Sequence, residues 1–279
     1  MRRAMVALPL LLQGCTSFFY YPDRHLYALP ENYGIRYDTV HFPSSDGTDL
    51  VGIFLHTPAK TVKGTVVHFH GNAQNLSSHF GFSHWLTAHG YQVFLFDYRG
   101  YGGSKGKPSQ DGLMRDGVAA IEYVRRRPDV DPNRLAIFAQ SLGGAVAVAS
   151  LASLEDRKGI RAVVLEDTFD SYRSMARDVL RRHWFTWPLQ WLPWLAVSER
   201  HRPANYVDRL PACPVLVIHG DADHVVPYWL GERLFRRLRE PKEFWKAPGA
   251  DHLEAFTRLA PDFRPRLVAY LDRLVAAHP

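Results

Sequence analysis

One short stretch has the residue types and spacing that nucleophilic catalysis needs. Ala139-Gln140-Ser141-Leu142-Gly143-Gly144 follows an apolar run and opens an alanine-rich segment. A serine on a tight turn between a strand and a helix needs small neighbours, and Ala139, Gly143 and Gly144 supply them. The usual pattern is G-x-S-x-G, so Ala139 is a departure that adds one methyl group. Such a turn exposes the Ser141 hydroxyl at a helix N-terminus, where the dipole favours developing negative charge. His70-Gly71-Asn72-Ala73 follows another apolar run. A backbone N–H from that loop, with Asn72 the expected donor, can pair with the N–H of Leu142 to hold an oxyanion.

A serine nucleophile needs a base, and the base needs an orienting acid. The apolar run 214–218 leads into His219-Gly220-Asp221-Ala222-Asp223-His224. Asp223 is the expected acid. Asp221 is a rival whose other role is turn capping, and Glu166 and Asp167 are rivals at the end of an earlier run. The run 243–246 leads into Gly249-Ala250-Asp251-His252, and His252 is the expected base. His224 follows the acid too closely to turn back onto Ser141, and His183 and His201 fall in a long insertion.

These groups must be brought to one edge. The runs 65–69, 92–96, 135–138, 160–165 and 214–218 predict buried parallel strands, with a last strand at 243–246. Helical periodicity appears at 77–89, 110–127, 142–154, 227–239 and 262–277. The alternation predicts an α/β fold: a mostly parallel central sheet with helices on both faces. Its loops then meet at the carboxyl ends of the strands, where such sheets bind ligands. The segments 39–42 and 50–55 flank Asp46-Gly47, which predicts an antiparallel hairpin at one edge. The stretch from Asp167 to Pro214 is too long for a simple crossover. It holds Trp184, Trp187, Trp191 and Trp194, four of the seven tryptophans. It is expected to form a small Trp-rich cap near 168–210, whose tryptophans either line an apolar pocket or fill the cap's own core.

Composition narrows the class. With 46% hydrophobic and 22% charged residues in 279, the chain is neither disordered nor fibrous. Two cysteines exclude a disulfide framework, and no HExxH, CxxC or P-loop points to a metal or cofactor. The net charge of +6 is scattered, with no nucleic-acid-binding module beside it. The N-terminus has a pattern of its own. Arg2 and Arg3 precede the short apolar stretch 4–12, too short to span a bilayer. Leu12-Gln13-Gly14-Cys15 resembles a bacterial lipobox. The expectation is a lipoprotein-type signal peptide over 1–14, a lipid anchor and tether over 15–36 with Cys15 acylated, and a catalytic domain over 37–279. An ordinary signal peptide, or an uncleaved apolar N-terminus, is the other reading. Cys213, next to an apolar run, is expected to be an inert packed thiol.

In combination, His70-Gly71-Asn72-Ala73, Asp97-Tyr98-Arg99-Gly100-Tyr101-Gly102-Gly103-Ser104, the Ser141 turn, His219-Gly220-Asp221-Ala222-Asp223 and the His252 loop resemble the α/β-hydrolase superfamily. The likeness is strongest to its serine-aminopeptidase-like and depalmitoylase-like branch. It implies a cofactor-free serine hydrolase with a Ser141–His252–Asp223 triad, an oxyanion hole from Leu142 and Asn72, and a structural Asp97 in the site wall. The expected substrate is a small-molecule ester or thioester, and the expected place is the bacterial cell envelope. A small peptidase or amidase is the alternative, with Glu199 or Asp178 capturing an amine. A non-catalytic envelope lipoprotein of the same fold is another.

Overall fold

Asp46 and Gly47 turn the chain between its first two long strands. Gly47 adopts a φ of 81°, and Asp46 Oδ1 accepts the Thr48 N–H at 3.2 Å. The computed structural model describes residues 20–276. Cys15 and the signal-like segment lie outside them. Eight strands form one sheet: β1 (Tyr37–Pro43), β2 (Asp49–Leu55), β3 (Gly64–Phe69), β4 (Tyr91–Phe96), β5 (Leu135–Gln140), β6 (Ile160–Glu166), β7 (Val215–Gly220) and β8 (Lys242–Ala247). Their spatial order is β8-β7-β6-β5-β3-β4-β2-β1. Only β2 runs against the others. Each central strand is buried on both faces, which is why β3, β4, β5 and β7 are nearly continuous runs of apolar residues. One apolar cluster covers each face of the sheet.

The longer helices are α1 (Gln110–Arg125), α2 (Leu142–Ser153), α3 (Tyr172–Arg181), α4 (Tyr228–Arg237) and α5 (Ala260–Leu271). α5 continues into a single π-helical stretch over Asp272–Ala276. The helix expected over 77–89 is broken into a turn of α-helix at Leu76–His79 and 3-10 turns at Phe80–Phe82 and His84–His89. Side chains compete with the helical ladder there. Thr87 donates to the His84 carbonyl at 2.8 Å, and buried Ser83 turns inward to meet His68 Nδ1 at 2.8 Å. Among the described residues no helix is long and apolar enough to cross a membrane.

The segment from β6 to β7 carries α3 and several short helical turns. The four tryptophans expected to line a pocket or fill a cap core do neither. They are 56–88% exposed.

The wall loop after β4 is built on buried charge. Arg99 meets fully buried Asp116 through Nη2 at 2.7 Å and Nε at 3.0 Å, and it donates its backbone N–H to the same carboxylate. Asp97 accepts from the N–H groups of Leu76 and Gly103. Gly102, at φ 44°, leaves no room for a side chain, since a Cβ there would sit 2.0 Å from Asp97 Oδ2. Burial pushes the Asp97 carboxyl up to about 6. Removing Asp116 takes away the fully buried partner of Arg99 and leaves the guanidinium only the partly exposed Asp46 and Ser44. Asp116→Ala is therefore expected to lose about 1–3 kcal/mol of stability, measured by urea denaturation. A loss under ~1 kcal/mol would show that the pair does not hold the loop.

Candidate active site

The Ser141 turn is as tight as its residue types require. Ser141 sits at φ 52°, ψ −120°, a strained region for a side-chain-bearing residue. A Cβ on Gly143 would lie 2.2 Å from the Phe69 carbonyl oxygen, and one on Gly144 would lie 2.4 Å from Thr168 Oγ1. Ala139 lies within β5, fully buried in the core, so the extra methyl is accommodated. Ser141 donates its N–H to the Glu166 carbonyl at 2.9 Å. Its own carbonyl accepts from Thr168 Oγ1 at 2.8 Å. Leu142 is the first residue of α2, where a backbone N–H has no acceptor within the helix.

Asn72, Ser141 and Leu142 line one cavity of about 570 Å³. Its other walls are apolar or aromatic, from residues such as Phe169, Tyr172, Met175, Leu192 and Val226, and no charged residue lines it. The Asn72 side chain is held by the Tyr101 hydroxyl at 2.9 Å and the Tyr21 N–H at 3.3 Å. Tyr21-Pro22 pairs in parallel with Ala73-Gln74. A segment expected to be a tether thus braces the expected oxyanion loop and contributes Tyr21 to the cavity. Nothing local in the sequence signals that pairing.

Asp223 and His252 come together from separate loops. His252 Nδ1 lies 2.7 Å from Asp223 Oδ2, and the other carboxylate oxygen accepts the N–H groups of Val225 and Val226, both at 2.7 Å. A carboxylate at Nδ1 accepts that nitrogen's N–H and so leaves Nε2 as the basic position. Ser141 Oγ and His252 are not hydrogen-bonded to each other in this structure. Such contacts commonly tighten only around substrate.

The rival acids have other places. Asp221 accepts the Gly249 N–H at 2.6 Å and pairs with Lys246 at 2.9 Å, which is turn capping. Asp167 is closer to the chemistry. It adopts φ 47°, and its two oxygens accept the N–H groups of Gly220 at 2.9 Å and Leu253 at 2.6 Å. Its Oδ2 is 4.0 Å from His252 Nδ1. Glu166 instead heads a buried chain: its Oε2 accepts from Gln140 Nε2 at 2.6 Å, and Gln140 Oε1 meets His68 Nε2 at 2.9 Å. Burial, with Asp167 alongside, pushes the Glu166 carboxyl well above the usual range, and burial lowers His68 to about 3. Burial thus opposes charge at both ends of the chain.

His219 was not singled out by sequence. It is buried below Asp223, with Nε2 3.6 Å from that carboxylate and 2.9 Å from the Val226 carbonyl. Asp167, His219 and Asp223 bring ligand-type atoms within 4.8 Å of one another. The hydrogen bond to Val226 makes Nε2 a donor, so no nitrogen lone pair faces the two carboxylates. His183 is exposed, and His201 is tied to Asp111 at 2.6 Å. Asp178 is buried and paired with Arg181 and Arg182. Glu199 accepts from Ser171 and from the Arg173 N–H. Neither acid lines the cavity. Cys213 is buried, and burial pushes its thiol up to about 12, as expected of an inert packed residue.

Known proteins share this architecture. Residues 60–212 match the family model described as Serine aminopeptidase, S33. The chain is 39% identical to YfhR of Escherichia coli over 91% of its own length and 86% of that protein's. It is 30% identical to the alpha/beta hydrolase domain-containing protein WAV2 of Arabidopsis thaliana, over 81% of its length and 76% of that protein's. The solved structure of the Pyrococcus furiosus esterase Pf2001 superposes with a TM-score of 0.74 at 20% identity, covering 92% of this chain and 98% of that one. The chain belongs to the serine aminopeptidase-like family of α/β-hydrolases. It has that fold and is a hydrolase.

Asp167→Ala removes the acceptor of two N–H groups at once, one buried and one half-buried. Leaving such donors unpaired costs about 1–3 kcal/mol each. Hydrogen exchange is expected to speed up at Gly220 and Leu253 in this variant, with little change at either amide in Asp221→Ala. Unchanged protection at Leu253 would show that Asp167 does not hold the His252 loop.

Proposed function

We propose that the protein is a serine hydrolase that cleaves carboxylic esters or thioesters with an apolar acyl group. The observation that carries this reading is the wholly uncharged cavity with Ser141 in its wall. Ser141 Oγ attacks the carbonyl carbon while His252 Nε2 takes the hydroxyl proton. Asp223 keeps the proton on Nδ1 and stabilises the imidazolium. The N–H groups of Leu142 and Asn72 hold the tetrahedral oxyanion. The C–O or C–S bond then breaks, and the imidazolium protonates the leaving alcohol or thiol. Water deprotonated by His252 attacks the acyl-enzyme, releasing the acid and restoring Ser141.

The same triad serves amides, but the cavity argues against capture of a charged amine. Glu199 and Asp178 are used inside the cap segment, and no carboxylate lines the cavity. A non-catalytic role is disfavoured by the paired Asp223 and His252 and by the strain held at Ser141. We further propose attachment to the bacterial cell envelope through a lipid on Cys15, for which the pattern of residues 1–15 is the support.

A fluorophosphonate probe is expected to label the protein and to leave Ser141→Ala unlabelled. Labelling that persisted in folded Ser141→Ala would sink the nucleophile assignment. On acyl esters of graded chain length, Asp223→Asn should lower kcat by on the order of 10⁴-fold, as expected when the wrong imidazole tautomer is favoured. Asp221→Asn should change kcat by less than ~10-fold, because its hydrogen bonds only cap a turn. A reversed order would make Asp221 the acid.

A further inference from the structure

The cap segment presents a surface that water alone does not explain. Trp184, Phe185, Trp187, Trp191, Trp194 and Leu195 follow closely in sequence, and each is 56–88% exposed. Soluble surfaces seldom leave so much contiguous apolar area uncovered, and where they do the patch usually marks an interaction site. Arginines surround it. The Arg173 guanidinium lies 5.6 Å from the Trp194 ring centre. Arg177 Nε reaches Gln190 Oε1 at 3.4 Å. Arg182 holds the His224 and Val225 carbonyls. Residues 172–195 contain four arginines and a single acid, Asp178, which is buried and already paired.

We propose that this aromatic and cationic face docks on an anionic lipid bilayer, and so sets the cavity mouth against the membrane. Tryptophan favours the boundary between lipid and water, and arginine favours anionic headgroups. A second copy of the chain fits poorly, since a twofold contact would bring the same arginines face to face. The cavity opens within this surface: Val179, Leu192 and Val225 are each exposed and each line it. An acyl chain leaving the bilayer there enters the cavity without crossing water. Tyr21 stands at the same opening, 65% exposed. Five residues separate it from Cys15, a link that spans at most ~22 Å. Any anchor at Cys15 holds this same face toward the membrane. The docking itself rests on the cap surface and requires neither that lipid nor the proposed chemistry.

The test uses the full chain with Cys15→Ser as parent, so that no acyl group contributes. Vesicles of phosphatidylethanolamine with phosphatidylglycerol, and vesicles of phosphatidylcholine alone, are sedimented with the protein. The parent is expected to partition at least tenfold better onto the anionic vesicles and to lose that preference at high salt. Trp184→Ser/Trp187→Ser/Trp191→Ser is expected to bind at least tenfold more weakly at an unchanged melting temperature. Its turnover of a soluble short-chain ester should match the parent's, because none of the three lines the cavity. Arg177→Glu/Arg181→Glu is expected to lose the preference for anionic lipid. Equal partitioning of the triple-tryptophan variant and the parent overturns the proposal. So does a lipid-free dimer that the tryptophan substitutions abolish, which would make the face a contact between copies. Ser141→Ala is expected to bind vesicles like the parent, so a failed nucleophile assignment leaves the docking result readable.

Discussion

Two adjacent residues at the end of β6 fix the spacing on which the site depends. The Glu166 carbonyl accepts the Ser141 N–H, and the Asp167 carboxylate accepts the N–H groups of Gly220 and Leu253. The nucleophile turn, the loop after β7 and the His252 loop are therefore all referenced to one dipeptide. The arrangement holds strain, with left-handed φ values at Ser141, Asp167 and Leu253. Each such residue costs on the order of 1–3 kcal/mol. The two N–H bonds to Asp167, at about 1 kcal/mol each, offset part of that strain. Losing Asp167 removes the offset and leaves the strain.

Beneath the site lies a polar layer in which burial opposes charge. Gln140 Oε1 can only accept, so His68 Nε2 donates to it, and the Gln140 amide nitrogen then faces Glu166. Burial disfavours charge on His68 and on Glu166 alike. The carboxyl groups nearest His252 Nδ1 are Asp223 at 2.7 Å and Asp167 at 4.0 Å. The hydrogen bonds that link His68, Gln140 and Glu166 also stiffen the strand end on which Ser141 turns.

Much of this was legible in the sequence, because it is local. The small residues around Ser141 report a steric demand of the turn itself. Strand ends could be read from apolar runs, and each expected site residue in the described region sits just beyond one: Asn72 after β3, Ser141 after β5, Asp223 after β7 and His252 after β8. What could not be read depends on contacts distant in sequence. Asp167 looked like a rival acid because only the folded chain shows its oxygens on the amides of Gly220 and Leu253. The pairing of Tyr21-Pro22 with Ala73-Gln74 has no periodic signature at all. The helix expected over 77–89 failed for a related reason, since apolar periodicity cannot show that Ser83 is drawn inward by His68. The tryptophans had the right composition for a core and the wrong environment.

The two halves of the site are built on different physical terms. The groups that would move protons hang from strand ends embedded in the core, where close packing limits drift. The surface that would meet substrate comes from the segment after β6 and from the N-terminal stretch at Tyr21, both added to the sheet rather than part of it. Such connections vary without disturbing the scaffold that positions the chemistry. The cavity walls supply apolar contact, and on the proposed chemistry a drier site would strengthen the hydrogen bonds to a developing oxyanion. On the proposed reading, selectivity would rest on shape and chain length, because an uncharged wall has no fixed charge with which to select a head group. The arginines stand outside the cavity, where they can orient the whole protein but touch no reacting atom.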